Sequence, residues 1–204
     1  METIYYKADS EVFHALLGSG RFADVYYDKI RKMAIKIYGN NAEEYGLDDI
    51  KIDLNNEERV AKLTFLEDYN VVIPKGKVYV EQEYLGIAMR AIRGYSLAQH
   101  MDKTIKTEKN IPTIPLFSFL KAYRNLYRNV KELSKKHIEL CDLNEGNIIW
   151  DKEKQDLFII DTQLIFEEQK IDVKTLRKRN KKQLRENNIL PNLVKNKVLA
   201  LRKS

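Results

Sequence analysis

Short apolar runs dominate the first half of the chain and predict a β-sheet. These runs are rich in β-branched and aromatic residues, and glycine or polar residues bound them, which is typical of strands. The predicted strands cover residues 12–17, 23–27, 33–38, 71–73, 78–81 and 86–92. The segment Pro74–Lys77 is predicted to be a turn because it contains both proline and glycine. Apolar residues at helical spacing predict one helix over 57–66.

The second half of the chain changes to a helical period. Residues 116–136 carry apolar side chains at intervals of three, four and seven, which is the strongest helix signal in the sequence. The residues of this stripe are Phe119, Leu120, Tyr123, Leu126, Tyr127, Val130 and Leu133. Two short apolar strands are predicted at 148–150 and 157–160, around a polar hairpin loop. Beyond Asp172 the sequence is basic and helical in propensity until Pro191, so we expect an α+β fold.

Size and composition exclude several classes of protein. With 204 residues, 44% of them hydrophobic and 32% charged, the chain can bury a core, so we expect one domain or two small lobes. The single cysteine, Cys141, excludes an internal disulfide framework and a cysteine-rich zinc site. The first residues lack the segments of a signal peptide, and no apolar run approaches the ~20 residues of a membrane helix. We therefore expect a soluble protein of a reducing compartment.

Positive charge is concentrated near the C-terminal end. The net charge is +6, but residues 167–204 alone hold 12 basic and 4 acidic residues, a net charge of +8. The other 166 residues hold 24 basic and 26 acidic residues, a net charge of −2. Because the body of the chain is nearly neutral, we do not expect a nucleic-acid-binding protein. The basic segment predicts a helix whose charges face solvent, or a docking surface for an acidic partner or for anionic phosphates.

A glycine-containing segment follows the first predicted strand. The segment from Leu17 to Val25 contains Gly18, Ser19 and Gly20. Glycines let a backbone approach phosphate groups closely, and the exposed N–H groups can bind the phosphate oxygens. Taken alone, a Gly-x-Gly sequence is more often a simple turn.

Lys36 lies in the middle of an apolar strand with the sequence Met-Ala-Ile-Lys-Ile. A buried ammonium group is costly unless an anion meets it, so this position indicates an anion-binding lysine. The alternative is an edge-strand lysine that reaches solvent. The predicted helix supplies a carboxylate partner, for which Glu57 is preferred to Glu58, because apolar residues three and four positions later then face the core from the same side.

Three further residues complete the candidate chemistry. Asp142 and Asn147 are five residues apart in a polar loop between the long helix and an apolar strand. An aspartate that accepts a hydroxyl proton and an amide that binds a cation suit such a loop. The alternative is a turn that satisfies its own backbone. Asp161 follows the apolar strand 157–160, where a carboxylate either binds magnesium or caps a turn.

These features occur in the order of the protein-kinase signature: glycine loop, strand lysine, helix glutamate, Asp-x-x-x-x-Asn and strand aspartate. Each has a plain structural alternative, but their joint occurrence in this order favours a kinase. The segment from Asp142 to Asp161 resembles the small effector kinases of enteric bacteria, the OspG/NleH type, which are injected by a type III apparatus. Residues 88–97 resemble their hinge, with Met89 at the gatekeeper position and Arg90 at the start of the linker that contacts adenine.

The resemblance covers roughly residues 12–166 and implies a minimal, two-lobed protein-kinase-like fold with a truncated C-terminal lobe. It implies a kinase domain over 1–166 and a basic helical extension over 167–204 that completes the C-lobe. Within the kinase domain, the implied N-lobe covers about 1–90, the hinge about 90–94 and the C-lobe about 95–166.

The resemblance also implies ATP and Mg²⁺ or Mn²⁺ as cofactors. Asp142 and Lys36 are the implied catalytic residues, and Asn147 and Asp161 the implied metal ligands. The residues implied to contact the nucleotide or to hold those that do are Leu17, Gly18, Ser19, Gly20, Val25, Ala34, Lys36, Glu57, Met89, Arg90, Ile92, Asn147 and Asp161.

Departures from the kinase pattern bear on function. Leu140-Cys141-Asp142 replaces His-Arg-Asp, and Asp161-Thr162-Gln163 replaces Asp-Phe-Gly, so we do not expect activation by loop phosphorylation. Only 43 residues follow Asp161, fewer than the usual peptide-docking helices need. Asn144 replaces the lysine that is common in serine/threonine kinases, a feature that small-molecule kinases share.

These observations predict a kinase that phosphorylates Ser or Thr hydroxyls of a host protein. Two alternatives stay open: a kinase for a sugar, a lipid or an antibiotic, and a catalytically weak kinase-fold module that binds a partner. The resemblance implies a monomer made in the bacterial cytoplasm and secreted into the host cell cytoplasm. Ubiquitin or a ubiquitin-conjugating enzyme is the activating partner that the resemblance implies, on the C-lobe or the basic tail.

Overall fold

Strands and helices both build the fold, which confirms the α+β class. A computed structural model of the chain describes residues 2–20, 23–39, 64–141, 143–160, 163–166 and 172–186. The chain divides into two structural units. The N-terminal unit comprises residues 1–67 and 72–92, and the C-terminal unit comprises residues 68–71 and 93–204.

A six-stranded sheet forms most of the N-terminal unit. Its strands are β1 (Glu2–Tyr6), β2 (Leu16–Ser19), β3 (Ala23–Asp28), β4 (Met33–Tyr38), β5 (Pro74–Val80) and β6 (Glu83–Arg90). Their order in the sheet is β1-β5-β6-β4-β3-β2, with β1 parallel to β5 and all other neighbours antiparallel. A 3-10 helix at Glu11–His14 precedes β2, and another at Thr64–Tyr69 precedes β5.

One face of this sheet carries a hydrophobic cluster. The buried members of the cluster are Ile4, Ile35, Val78, Val80 and Ala88. Aromatic side chains of β1, β3 and the first 3-10 helix pack against it. Because side chains alternate between the two faces of a strand, the residues next to each cluster member in the sequence point to the opposite face. That opposite face is the one on which the candidate site is built.

A buried carboxylate holds the turn between β3 and β4. The side chain of Asp28 is 1% exposed and accepts hydrogen bonds from the backbone N–H groups of Ile30 at 2.8 Å and Arg31 at 2.9 Å. The Tyr6 hydroxyl donates a third bond at 2.5 Å, and the Arg31 guanidinium donates a fourth at 3.1 Å. Burial opposes ionisation of Asp28, but the hydrogen bonds from Tyr6 and Arg31 outweigh it and lower the pKa of this carboxyl.

The predicted turn at Pro74–Lys77 is wrong, because this segment is the first half of β5. Gly76 is needed there for close packing, since a Cβ would lie 3.0 Å from the Glu2 carbonyl oxygen of β1. The hairpin turn lies instead at Glu81 and Gln82, whose φ angles of 47° and 71° fit a type I′ turn.

Other boundaries also differ from the sequence predictions. The predicted strand 12–17 begins as the 3-10 helix, and strand pairing starts only at Leu16. Of the predicted strand 71–73, only Val71 forms an isolated bridge, to Ile159. Most of the predicted helix 57–66 lies outside the described residues, as does Pro191.

Helices and short strands alternate in the C-terminal unit. Its elements are β7 (Gly94–Ser96), α1 (Leu97–Met101), α2 (Lys103–Glu108), α3 (Leu116–Lys135), β8 (Ile138–Cys141), β9 (Ile148–Asp151), β10 (Asp156–Ile159), β11 (Gln163–Phe166) and α4 (Val173–Glu186). The strands β10, β9 and β7 form an antiparallel sheet in that order, and β8 pairs antiparallel with β11.

The long helix α3 is central to this unit. Its buried apolar residues follow the stripe read from the sequence, and α4, β8 and β10 pack against it. The predicted helix over 116–136, the two predicted strands β9 and β10, and a helix beyond Asp172 are confirmed. Among the described residues, no helix is both long enough and apolar enough to cross a membrane.

Replacement of Gly86 by alanine should destabilise the N-terminal unit. Gly86 lies in β6 opposite Ile37, and a Cβ there would collide with the Lys36 carbonyl group of β4. Because backbone cannot move aside as a flexible side chain can, we expect a loss of about 1–3 kcal/mol in the free energy of unfolding. Gly18→Ala is the matched control, since nothing lies within 4 Å of its Cβ position. Urea unfolding tests this, and equal midpoints for both variants would contradict it.

Asp28→Asn should destabilise the protein at neutral pH and much less in acid. The pKa of Asp28 is lowered in the folded state, so the unfolded chain binds more protons as the pH falls below the ordinary carboxyl range. The stabilisation is therefore complete above that range and is lost as the pH falls through the lowered pKa. Urea unfolding of wild type and variant at pH 7 and pH 3 measures it; a difference that is independent of pH would refute the assignment.

Candidate active site

The glycine segment forms the connection between β2 and β3. The two strands pair as far as Ser19 and Asp24, and the N–H of Gly20 donates to the carbonyl oxygen of Ala23 at 2.8 Å. Residues 16–20, which include the predicted contacts at the start of the segment, are exposed. Because the Gly20 N–H is already bonded in this way, binding of phosphate oxygens would fall to other backbone N–H groups of the segment and stays a prediction.

Four predicted nucleotide-contacting residues lie on one face of the sheet. Val25 in β3 pairs with Lys36 in β4, and Ala34 in β4 pairs with Met89 in β6. Cross-strand partners point to the same face, and Ala34 and Lys36 are two residues apart, so all four side chains share it. We call this set the strand-face cluster. It lies opposite the hydrophobic cluster, because Ile35, between Ala34 and Lys36, belongs to the latter.

Lys36 is half-buried in the strand-face cluster, and its cross-strand neighbours are apolar. These neighbours are Val25 in β3 and Ile87 in β6. The ammonium Nζ lies 5.5 Å from the centroid of the Tyr38 ring, within the range of a cation–π contact. An ammonium group with such neighbours is suited to an anionic ligand. Glu57 lies outside the described residues, so its pairing with Lys36 stays a prediction.

The predicted hinge begins where β6 ends. Met89 and Arg90 are the last two residues of the strand, and Ile92 follows two residues later; all three are partly buried. Alternation directs the Arg90 side chain to the face of Ala88, so of the two strand residues only Met89 shares a face with Lys36. The boundary between the two structural units falls after Ile92.

A structured turn precedes Asn147 in the C-terminal unit. The Oδ1 atom of Asn144 accepts hydrogen bonds from the N–H groups of Gly146 at 2.8 Å and Asn147 at 3.2 Å. The carbonyl oxygen of Asn147 accepts a bond from the N–H of Ile160 at 2.8 Å. Asn144, which departs from the kinase pattern, therefore has a structural role, because it fixes the backbone that carries Asn147.

Asp142 and Asp161 lie outside the described residues, so the placement of both carboxylates stays a prediction. The described strands next to these two positions each belong to an antiparallel pair. Cys141 pairs with Gln163 across β8 and β11, and β9 pairs with β10. The strands that lead into and out of both positions are thus fixed by neighbouring antiparallel pairs.

Sequence reasoning missed two side chains that hold β8 and the start of the loop that follows it. Asn180 and Gln183 of α4 form hydrogen bonds with the backbone of β8 and of Leu143. A signal was present in the sequence, because Leu176, Asn180 and Leu184 recur every four residues and so share one helix face. All three are at most 1% exposed. An amide between two leucines at this spacing indicates a buried, hydrogen-bonded position.

The predicted donor set suits a magnesium ion. The amide oxygen of Asn147 and the carboxylate of Asp161 are the oxygen ligands that this hard cation prefers. Within the described part of the chain, no three side chains among His, Cys, Asp and Glu are grouped closely enough to hold a metal. The predicted magnesium ligands are Asn147 and Asp161, and Asp161 lies outside the described residues, so the site stays a prediction.

Comparison of the chain with protein-family models and with curated proteins gives no match. Its function must be inferred from its own residues and their arrangement. Among the described residues, the strand-face cluster and the neighbouring glycine turn give the strongest indication of function.

Asn144→Ala should loosen the turn that precedes Asn147. The change removes the side-chain acceptor of the Gly146 N–H, whereas the Asn147 N–H keeps the Asn144 carbonyl oxygen at 3.1 Å, so we expect a net cost of about 1 kcal/mol in the free energy of unfolding. Asn144→Asp keeps an acceptor oxygen and is the matched control. Urea unfolding measures the loss, and hydrogen exchange at the amide of Gly146 locates it. Equal amide protection in the two variants would show that the side chain does not hold the turn.

Proposed function

We propose that the chain is an ATP-dependent protein kinase with a minimal, two-lobed kinase-like fold. The observation that carries the proposal is the strand-face cluster, in which Lys36 lies beside Val25, Ala34 and Met89 on one sheet face. The kinase signature has its lysine on the third strand, and β4 is the third strand counted from β2, where the glycine turn begins. The order of these features in the sequence and the pairing of β4 with β3 and β6 are both consistent with this assignment.

The N-terminal unit binds the nucleotide in this proposal. Backbone N–H groups of the glycine turn and the Lys36 ammonium contact the phosphates, as in protein kinases. Val25, Ala34 and Met89 supply apolar contacts to the adenine ring. Val25 and Met89 are suited to that role because they are only partly buried and have surface left to cover, whereas Ala34 is a small, buried residue between them.

Phosphoryl transfer uses the loop of the C-terminal unit. Asp142 orients the attacking hydroxyl and accepts its proton while the hydroxyl oxygen bonds to the γ-phosphorus. The bond from that phosphorus to the β–γ bridging oxygen breaks, and ADP leaves with the electron pair. Asn147 and Asp161 hold Mg²⁺, which supplies neutralisation of the phosphate charge when bound. Catalysis then consists mainly of positioning and electrostatic stabilisation.

The acceptor in the proposal is a serine or threonine hydroxyl of a protein. Asn144 is one of the two sequence features that favour a small-molecule acceptor, beside the short chain after Asp161, and Asn144 has a role of its own in the turn before Asn147. Delivery into a host cell, a host substrate and a ubiquitin-related activating partner are supported by the family resemblance alone. Activity without loop phosphorylation follows from Leu140 and Cys141, which stand where kinases have His and Arg.

Lys36→Ala should reduce phosphate transfer by about a hundredfold or more, because loss of one charge-stabilising donor typically has this effect. Asp142→Asn should reduce it by about 10²–10⁴-fold, as expected for a general base. Lys29→Ala is the matched control, since Lys29 lies in the exposed turn between β3 and β4. Transfer is measured with radiolabelled ATP, Mg²⁺ and a eukaryotic cell lysate as the source of acceptors.

Label in protein with wild type and Lys29→Ala, but with neither active-site variant, would support the proposal. Label found only in small molecules would replace the protein acceptor with the alternative one. Absence of transfer by the folded wild type, or equal transfer by all variants, would overturn the kinase assignment. Circular dichroism of each variant verifies that it is folded.

A further inference from the structure

Asn180 is the central polar residue on the inner face of α4. Its side chain is fully buried. Its Oδ1 accepts a hydrogen bond from the N–H of Leu140 at 2.9 Å, and its Nδ2 donates to the carbonyl oxygen of Ile138 and to Ser134 Oγ, both at 3.0 Å. Ser134 in turn donates to the carbonyl oxygen of Val130 at 2.8 Å. This combination of one acceptor and two donors is available from an amide but not from a carboxylate or an alkyl group.

Gln183 extends the contact from β8 into the loop. Its Oε1 accepts a hydrogen bond from the N–H of Leu143 at 2.8 Å, and its Nε2 donates to the carbonyl oxygen of Leu140 at 2.5 Å. Leu143 is itself fully buried. The two bonds therefore fix the backbone two residues before Asp142 and one residue after it.

The helix α4 covers one edge of β8 with side-chain amides. The N–H and C=O of Leu140 and the C=O of Ile138 all bond to α4, and residues two apart in a strand present these groups at the same edge. Among the described strands, only β11 pairs with β8. The amides of Asn180 and Gln183 thus take the place of a second neighbouring strand.

An ion pair adds a third link between α4 and β8. The Arg179 guanidinium lies 3.0 Å from the carboxylate of Glu139, and the Glu139 residue is 9% exposed. The Arg179 side chain remains 47% exposed, so this pair is weaker evidence than the buried amides.

We propose that α4 is a positioning element of the active site, in which Asn180 and Gln183 hold the backbone on both sides of Asp142. The inference rests on the proposed function, in which Asp142 accepts the proton of the attacking hydroxyl. Both side chains act through the backbone and contact no substrate. Misplacement of a catalytic group by about 1 Å can cost about a hundredfold in rate. The adenine contacts and Lys36 are assigned to the other structural unit, and the turn before Asn147 is held by Asn144 and not by α4, so loss of these bonds should lower kcat and leave the KM for ATP almost unchanged.

Gln183→Met in the full chain is the test variant. Methionine has nearly the length and volume of glutamine but neither the donor nor the acceptor. Lys178→Met is the matched control, because Lys178 lies on the exposed side of the same helix. The assay is hydrolysis of MgATP, with water in place of the acceptor hydroxyl. We expect kcat of Gln183→Met to fall about tenfold to a hundredfold and the KM for ATP to change by less than about twofold, with the control unchanged.

Hydrogen exchange of backbone amides, followed by NMR, gives a readout that is independent of activity. In Gln183→Met the amide of Leu143 should exchange faster, while the amide of Leu140 stays protected by Asn180. Asn180→Leu should have the reverse effect on these two amides. Lys178→Met should change neither.

Faster exchange at Leu143 together with a lower kcat and a steady KM would support the proposal. A wild-type kcat in Gln183→Met, or unchanged exchange at Leu143, would overturn it while the proposed function stood. Absence of hydrolysis and of phosphate transfer by the wild type itself would be a failure of the proposed function, and the positioning role would fall with it. A parallel rise in KM and fall in stability would indicate general loosening and would also overturn it.

Discussion

The N-terminal unit depends on the register of β4, which is paired on both sides, with β3 and with β6. This register decides which side chains enter the hydrophobic cluster and which form the strand-face cluster. A slip of one residue would move Lys36 into the apolar cluster and Ile35 out of it, so the register is strongly constrained. The buried Asp28 turn fixes one end of the strand, and the close approach of Gly86 to the Lys36 carbonyl fixes its centre.

The C-terminal unit also depends on the hydrogen bonding of one strand, but side chains of a helix supply part of that bonding. The strand β8 has only four residues and leads directly into the loop that carries the candidate chemistry. Its backbone groups must be hydrogen-bonded where they are buried, because an unpaired buried group costs about 1–3 kcal/mol. A helix cannot pair with a strand through its own backbone, so Asn180 and Gln183 do so with side-chain amides. The order of the loop is thereby tied to the docking of α4.

Much of the fold could be predicted where one physical period governs a segment. The apolar stripe of α3 and the apolar strands β9 and β10 are such cases, and the common face of Ala34 and Lys36 follows from strand alternation alone. Prediction failed where a residue type serves two purposes. Gly76 signals a turn but is used for close packing, whereas the actual turn residues, Glu81 and Gln82, carry no turn signal. Contacts between segments that are far apart in the sequence cannot be predicted from a local pattern of residues.

The basic C-terminal segment shows how composition can conceal a structural role. A net charge of +8 over residues 167–204 suggests a solvated helix or a docking surface. In α4, however, exposed lysines lie on one side and Leu176, Asn180 and Leu184 are buried on the other. The net charge reflects only the solvent-facing side of the helix, because charged side chains are placed where water can solvate them. The inner side is the one that contacts β8, so the helix can position the loop whether or not any partner binds its lysines.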